Sequence, residues 1–258
     1  MQRQSPAIDE DLHGRIVVIT RPAGTASALV RRVRVLGGVP LLLPGLALRS
    51  VIDEAVAHSA LLAVLRDDVL VFTSPAAVRF AAALAPLQTA ATVLAVGQGT
   101  ARALRRHGIH AHAPLAPTRQ DSEGLLDHPA LHALRGRRVG LIGASGGRGL
   151  LREQLAARGA QLHELHVYRR VAPRLDRRHV GALLQLPASA QVLLSSNEAL
   201  QNLRRLLPAQ AWRQLCAATA VVSSERLAGA ARAAGFSRIV LAASALSADL
   251  LEAAQRAS

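Results

Sequence analysis

Val71-Phe72-Thr73-Ser74-Pro75-Ala76-Ala77-Val78 and Leu193-Leu194-Ser195-Ser196-Asn197-Glu198-Ala199-Leu200 read alike: an apolar pair, a hydroxyl pair, then an apolar-rich stretch. They lie 122 positions apart, and at the same spacing Leu29–Gly37 lies over Leu151–Gly159. A third pairing sets Val96–Gly108 beside Ser223–Gly235 at a spacing of 127. Three ordered matches at nearly constant spacing mark an internal repeat. Outward from these anchors, short apolar runs alternate with amphipathic Ala/Leu/Arg-rich stretches. Strands are predicted at Ile16–Ile19, Val39–Leu43, Val69–Phe72, Val93–Val96, Val139–Ile142, Leu162–Val167, Val192–Leu194, Ala220–Val222 and Ile239–Leu241. Helices follow most of them, as at Ala26–Leu36, Pro75–Leu84, Thr100–His107 and Leu150–Arg158. This alternation predicts an α/β fold: two similar lobes, each a parallel sheet flanked by helices.

Two long extended segments, Val39–Leu48 and Gln161–Val171, occupy matching places in the repeat. They suggest a two-stranded linker, with residues 39–47 paired to 161–174. Lobe 1 is then 14–38 plus 175–258, lobe 2 is 48–160, and residues 1–13 form a disordered lead-in. A cleft between such lobes is expected to hold a small molecule.

Composition narrows the partners. All 31 basic residues among 258 are Arg, against 17 acids, for a net charge of +14. The absence of Lys beside abundant Ala points to coding bias, yet the guanidinium fork still favours carboxylates and phosphates. Aromatic residues are only 2% of the chain, too few for stacking platforms on single-stranded nucleic acid. The single cysteine, Cys216, rules out an intrachain disulfide and any zinc site with two thiolates. Apolar runs stay well short of the ~20 residues of a membrane helix. The opening residues lack a signal-peptide core, so a soluble, cytoplasmic protein is expected.

Ligands of open α/β sheets sit beyond the carboxyl ends of strands, at helix N-termini. Six loops there carry hydroxyls: Thr20-Arg21-Pro22, Thr73-Ser74-Pro75, Gly97-Gln98-Gly99-Thr100, Gly143–Gly149, Ser195-Ser196-Asn197 and Ser223-Ser224-Glu225. Each alone is best read as a helix cap, while together they suggest a shared anion site. Gly143-Ala144-Ser145-Gly146-Gly147 matches the G-x-S-x-G nucleophile elbow, but the last histidine, His179, comes too soon for the strands that would carry a triad. Phosphate-loop spacing is absent too. His107, His110 and His112 fall in a loop without a companion acid, and His128 and His132 lack the Glu of H-E-x-x-H, so metal is not supported. Tyr168, the only tyrosine, is followed by Arg169 and Arg170. A phenol beside guanidinium groups can exchange a proton, although a partly buried aromatic is an equal reading.

Ile19-Thr20-Arg21-Pro22, Phe72–Val78, Ala95-Val96-Gly97 with Thr100-Ala101, Asp121–Leu126, Val167-Tyr168-Arg169-Arg170 and Ser195-Ser196-Asn197 together resemble the uroporphyrinogen-III synthase family, in order from about Gly14 to Leu251. The resemblance implies a two-lobed enzyme that closes hydroxymethylbilane to uroporphyrinogen III in tetrapyrrole and heme biosynthesis, with loss of water, inversion of ring D and no cofactor. It implies that Tyr168 helps the hydroxyl leave and that Thr73, Ser74, Gly97, Thr100, Ser195 and Ser196 line the binding loops. Arg21 and Arg148 join them by their positions at strand ends. Where family members often carry a G-x-T-T-like stretch, this chain has Ser223-Ser224-Glu225-Arg226-Leu227, and Ser223 and Ser224 are the candidates to substitute through side chain or backbone. Asn197 replaces the Pro75 of the first repeat, so the two loops need not bind alike. Asp121 is read as a cap and Glu123 as a first-turn acid. A monomer is expected, with a handover from hydroxymethylbilane synthase conceivable and no nucleic-acid or membrane partner. A non-enzymatic two-lobed module for a small polyanion is the alternative, and charge-driven RNA binding a weaker one.

Overall fold

Two strands are buried at every position: β4 (Val69–Phe72) and β8 (Gln191–Leu194). Near-continuous apolar strands of this kind belong at the centre of a parallel sheet covered on both faces. A computed structural model, describing residues 12–115, 119, 121–146 and 149–257, places β8 third and β4 fourth in sheets of five strands, neither at an edge. The chain divides into unit 1, Met1–Ala47 with Val171–Ser258, and unit 2, Leu48–Arg170.

In unit 1, β1 (Ile16–Ile19), β2 (Val39–Leu42), β8, β9 (Thr219–Val222) and β10 (Ile239–Leu241) form a sheet in the order β10-β9-β8-β1-β2. Every pairing in it is parallel. Successive residues of β1 serve opposite faces, as strand geometry requires. Val18 packs with Leu194, Leu203 and Leu215, while Val17 and Ile19 pack with Leu29, Val33 and Leu251.

In unit 2, β3 (Ala47–Ser50), β4, β5 (Thr92–Ala95), β6 (Arg138–Ala144) and β7 (Gln161–Val171) follow the order β3-β7-β6-β4-β5. The segment β9-β8-β1-β2 of the first sheet has the connectivity of β5-β4-β6-β7 in the second, which is the correspondence the repeat predicts. Even β10 has a counterpart, because His112 makes an isolated parallel bridge to Leu94 of β5.

Three details differ from the sequence reading. Segment 39–47 does not stand apart as a linker strand: β2 is a full member of the first sheet beside β1, and β7 belongs to the second, where β3 is its neighbour. The chain passes from β2 to β3 through Leu43–Leu46, where Leu43, Gly45 and Leu46 are buried, so packing rather than exposed turn residues fixes this connection. Of the expected lead-in 1–13, residues 1–11 lie outside the described residues, and Leu12 is fully buried. Gly38 makes that possible, since a Cβ there would lie 2.8 Å from Leu12 Cδ1. Helices that the sequence pattern did not single out include α2 (Glu54–Val64), α8 (Asn197–Leu206) and α11 (Ser247–Arg256). None of the described helices is long and apolar enough to cross a membrane.

His128 is buried in unit 2, and its Nδ1 accepts the Ala130 N–H at 3.2 Å. Its ring lies 5.1 Å from that of His112. Burial, and then the charges of His112 and His132, push its pKa below the ordinary value. The unfolded chain therefore takes up this proton first as pH falls below about 6.5. Stability should fall as pH drops below about 6.5, and His128→Gln should flatten that slope in urea titrations.

Candidate functional site

Each sheet has one place where consecutive connections leave in opposite directions, and there a crevice opens beyond the strand ends. In unit 1 it lies between β1 and β8, and in unit 2 between β4 and β6. The same device finishes both. Thr20 donates its hydroxyl to the Leu193 carbonyl at 2.7 Å, and Thr73 donates to the Ile142 carbonyl at 3.2 Å. Each threonine follows its strand directly and ties it to the neighbour across the crevice. Gly143 leaves the room, because a Cβ there would come within 2.4 Å of Thr73 Oγ1.

Ser74, Ser196 and Ser224 sit at equivalent extended positions as N-caps of α3 (Pro75–Leu84), α8 and α10 (Glu225–Ala234). Their hydroxyls accept the N–H groups of Ala77, Ala199 and Leu227. These oxygens are thus engaged in capping, and the donors left for an anion are the first backbone N–H groups of each helix. Pro75 has no N–H, whereas Asn197 has one, so the two loops offer unlike donor sets. Ser195 and Ser223 are partly buried just before the caps.

Gly97, with φ +81°, starts α4 (Gln98–Arg105), a turn that a side chain would strain. Thr100 is 1% exposed and gives its hydroxyl to the Val96 carbonyl at 2.9 Å, so it shapes the turn rather than presenting a donor. Arg21 is half-buried and donates from an Nη to the Ala245 carbonyl at 2.8 Å. Its Nε is buried without a partner among the described residues, and desolvation lowers its pKa. A desolvated guanidinium with an unused N–H favours a carboxylate. Arg148 lies outside the described residues.

Tyr168 reaches its place through a register shift. β7 pairs residue for residue with β6 as far as Gly143 with His166, and then Ala144 pairs with Tyr168. The extra residue turns Tyr168 to the same face as Val167, where both join the cluster around Phe72 and Val78. Its hydroxyl lies 3.2 Å from Ser74 Oγ, and its ring stacks on Phe80. The sequence pointed to the guanidinium groups next in the chain, but these are turned to carbonyls. Arg169 Nε donates to Ser50 at 3.2 Å and an Arg170 Nη to Gly146 at 2.5 Å. The phenol's partner is a serine from another strand end.

Sequence reasoning missed one feature of unit 2, a cavity of about 300 Å³ at the carboxyl end of β6. Thr73, Ser122, Gly143, Arg152, Glu164 and His166 line it. Glu164 and His166 are two apart on β7 and so share a face, a signal present in the sequence. Asp121 caps α5 (Ser122–Leu126) as expected, accepting from Gly124. No group of three or more metal-ligating side chains occurs among the described residues. Burial pushes the Cys216 thiol up to about 11, which keeps it protonated at neutral pH.

Comparisons with known proteins agree with this topology. The family model described as uroporphyrinogen-III synthase HemD matches residues 27–252. Uroporphyrinogen-III synthase of Salmonella typhimurium is 35% identical over 93% of this chain and 99% of its own length. That of Escherichia coli is 34% identical over the same shares. Among solved structures, a mutant uroporphyrinogen III synthase from the extreme thermophile Thermus thermophilus has a TM-score of 0.56 at 22% identity, covering 94% of this chain and 98% of that one. The Helicobacter pylori uroporphyrinogen-III synthetase reaches 0.62 at 15%, covering 95% and 100%.

The matching caps predict matching costs. Ser74→Ala and Ser196→Ala should each lower stability by about 1 kcal/mol in urea unfolding, leaving both proteins folded.

Proposed function

The chain belongs to the uroporphyrinogen-III synthase family, and we propose that it closes hydroxymethylbilane to uroporphyrinogen III with loss of water and inversion of ring D. The substrate is a flexible linear tetrapyrrole with carboxylates on every ring. In each unit the backbone N–H groups at helix starts, of α3 and α4 in one and of α8 and α10 beside Arg21 in the other, suit carboxylates by charge. Thr73, Ser195 and Ser223 stand beside these donors at the strand ends.

Tyr168 is the proton donor in this reading. The Ser74 hydroxyl, donating to the phenol oxygen, leaves the phenol proton for the departing hydroxyl of ring A, which leaves as water. The azafulvene cation so formed is attacked by the substituted carbon of ring D, the spirocyclic product fragments and recloses inverted, and the proton lost from the newly bonded α-carbon of ring D returns to the phenolate. The protein's larger contribution is to hold the two ends so that this closure outruns the direct one. The observation that carries the reading is the placement of the one tyrosine on a serine at the switch point of unit 2. The chain acts as a monomer in the cytoplasm, receiving its labile substrate from the hydroxymethylbilane-forming enzyme.

The test is the rate at which hydroxymethylbilane, generated in situ, disappears. The protein should accelerate its loss over the buffer rate, and Tyr168→Phe should reduce kcat by ~100-fold with an unchanged unfolding midpoint. A Tyr168→Phe variant turning over normally would remove the phenol from the mechanism. Light scattering should return a mass near 27.1 kDa at all concentrations.

A further inference from the structure

A hydrogen bond to Ser74 fixes one end of the Tyr168 phenol without itself setting the plane of the ring. A constraint on that plane comes from the same helix. Phe80, on α3, stacks on the Tyr168 ring with centroids 5.3 Å apart and planes 14° from parallel. Ser74 caps that helix and Phe80 lies six residues on, ~9 Å along its axis. The phenol therefore lies along α3, its hydroxyl at the helix start and its ring on Phe80. Phe80 is itself restrained, with the Arg79 guanidinium carbon 4.9 Å from its ring centroid. It is only partly buried and packs at the margin of its cluster, so it is a poor choice for a residue whose sole task is to fill the core.

We propose that Phe80 is a positioning residue for the reaction, setting the plane of the Tyr168 ring and so the direction in which its hydroxyl meets the substrate. This rests on the reading of Tyr168 as proton donor. A near-parallel offset stack is a favourable arrangement of two aromatic quadrupoles, and it gives the ring one plane. With the plane set, the phenol O–H, which lies in the plane of its ring, is confined to that plane relative to Ser74. Small misplacements of a reacting group lower the chemical rate far more than they lower binding.

The chain has a single tyrosine, so 3-fluorotyrosine places a fluorine at one residue only. Fluorine NMR then reads the stack while kinetics reads its use. In Phe80→Leu, and in Phe80→Met as a second ring-less variant, kcat should fall about tenfold with KM within about twofold. The fluorine resonance should move toward that of the free amino acid. Phe80→Tyr, which keeps a ring, should retain kcat within about twofold in unlabelled protein. Ring-less variants with parental kcat, alongside an impaired Tyr168→Phe, would overturn the positioning role alone. Equal losses in Phe80→Met and Phe80→Tyr would also overturn it, by making Phe80 a packing residue. A fully active Tyr168→Phe would overturn the proton-donor reading and this inference with it.

Discussion

A threonine hydroxyl bonded to a carbonyl of the next strand holds the centre of each unit. Thr20 to Leu193 and Thr73 to Ile142 close the point where one sheet sends its connections both ways. That tie adds to the ladder that already pairs these strand ends, where the Thr73 N–H also donates to the Ile142 carbonyl at 3.0 Å. With it, the loops that follow start from a fixed edge, and the serine caps, the Gly97 turn and the Tyr168 phenol inherit their positions. The order of strands then matters more than their number. Because β9-β8-β1-β2 and β5-β4-β6-β7 share one connectivity, the chain builds the same crevice twice.

The charge of the chain finds an unexpected outlet. Several guanidinium groups donate to main-chain carbonyls. Arg158 donates to Leu126 and Leu131, Arg138 to Arg66, and Arg238 to Ala188 and Ala217. Arg169, Arg170 and Arg21 do the same at Ser50, Gly146 and Ala245. A planar fork with five donors suits carbonyls at helix and loop ends, where a compact ammonium would reach one at a time. The net charge of +14 is therefore a poor guide to the ligand, and Arg21 is distinguished by its buried unpaired Nε rather than by its charge.

Much of the fold was legible because the repeat and the central strands are written in apolar runs that need no partner to be recognised. β1, β4 and β10 match their predicted limits, and the hydroxyl loops fall at strand ends. What escaped was set by pairing. β3 is a short edge strand of mixed residues, and the amphipathic stretch of β7 hides an extra residue that only its partner β6 reveals. For the same reason adjacency in sequence points to Arg169 and Arg170 beside Tyr168, whereas the bulge delivers Ser74 and Phe80 to a buried ring. Thr100 was a hydroxyl in the right loop, but a helix start turns it toward the Val96 carbonyl. Their places at strand ends located the loops, and the geometry distinguished caps from available donors.

On the proposed function, this chain directs closure toward the inverted isomer. Hydroxymethylbilane is generated in situ with increasing amounts of the protein, the products are oxidised, and uroporphyrin isomers I and III are separated. The account predicts that isomer III rises with protein concentration until it displaces isomer I. Isomer I alone, from a folded and monodisperse sample, would contradict it.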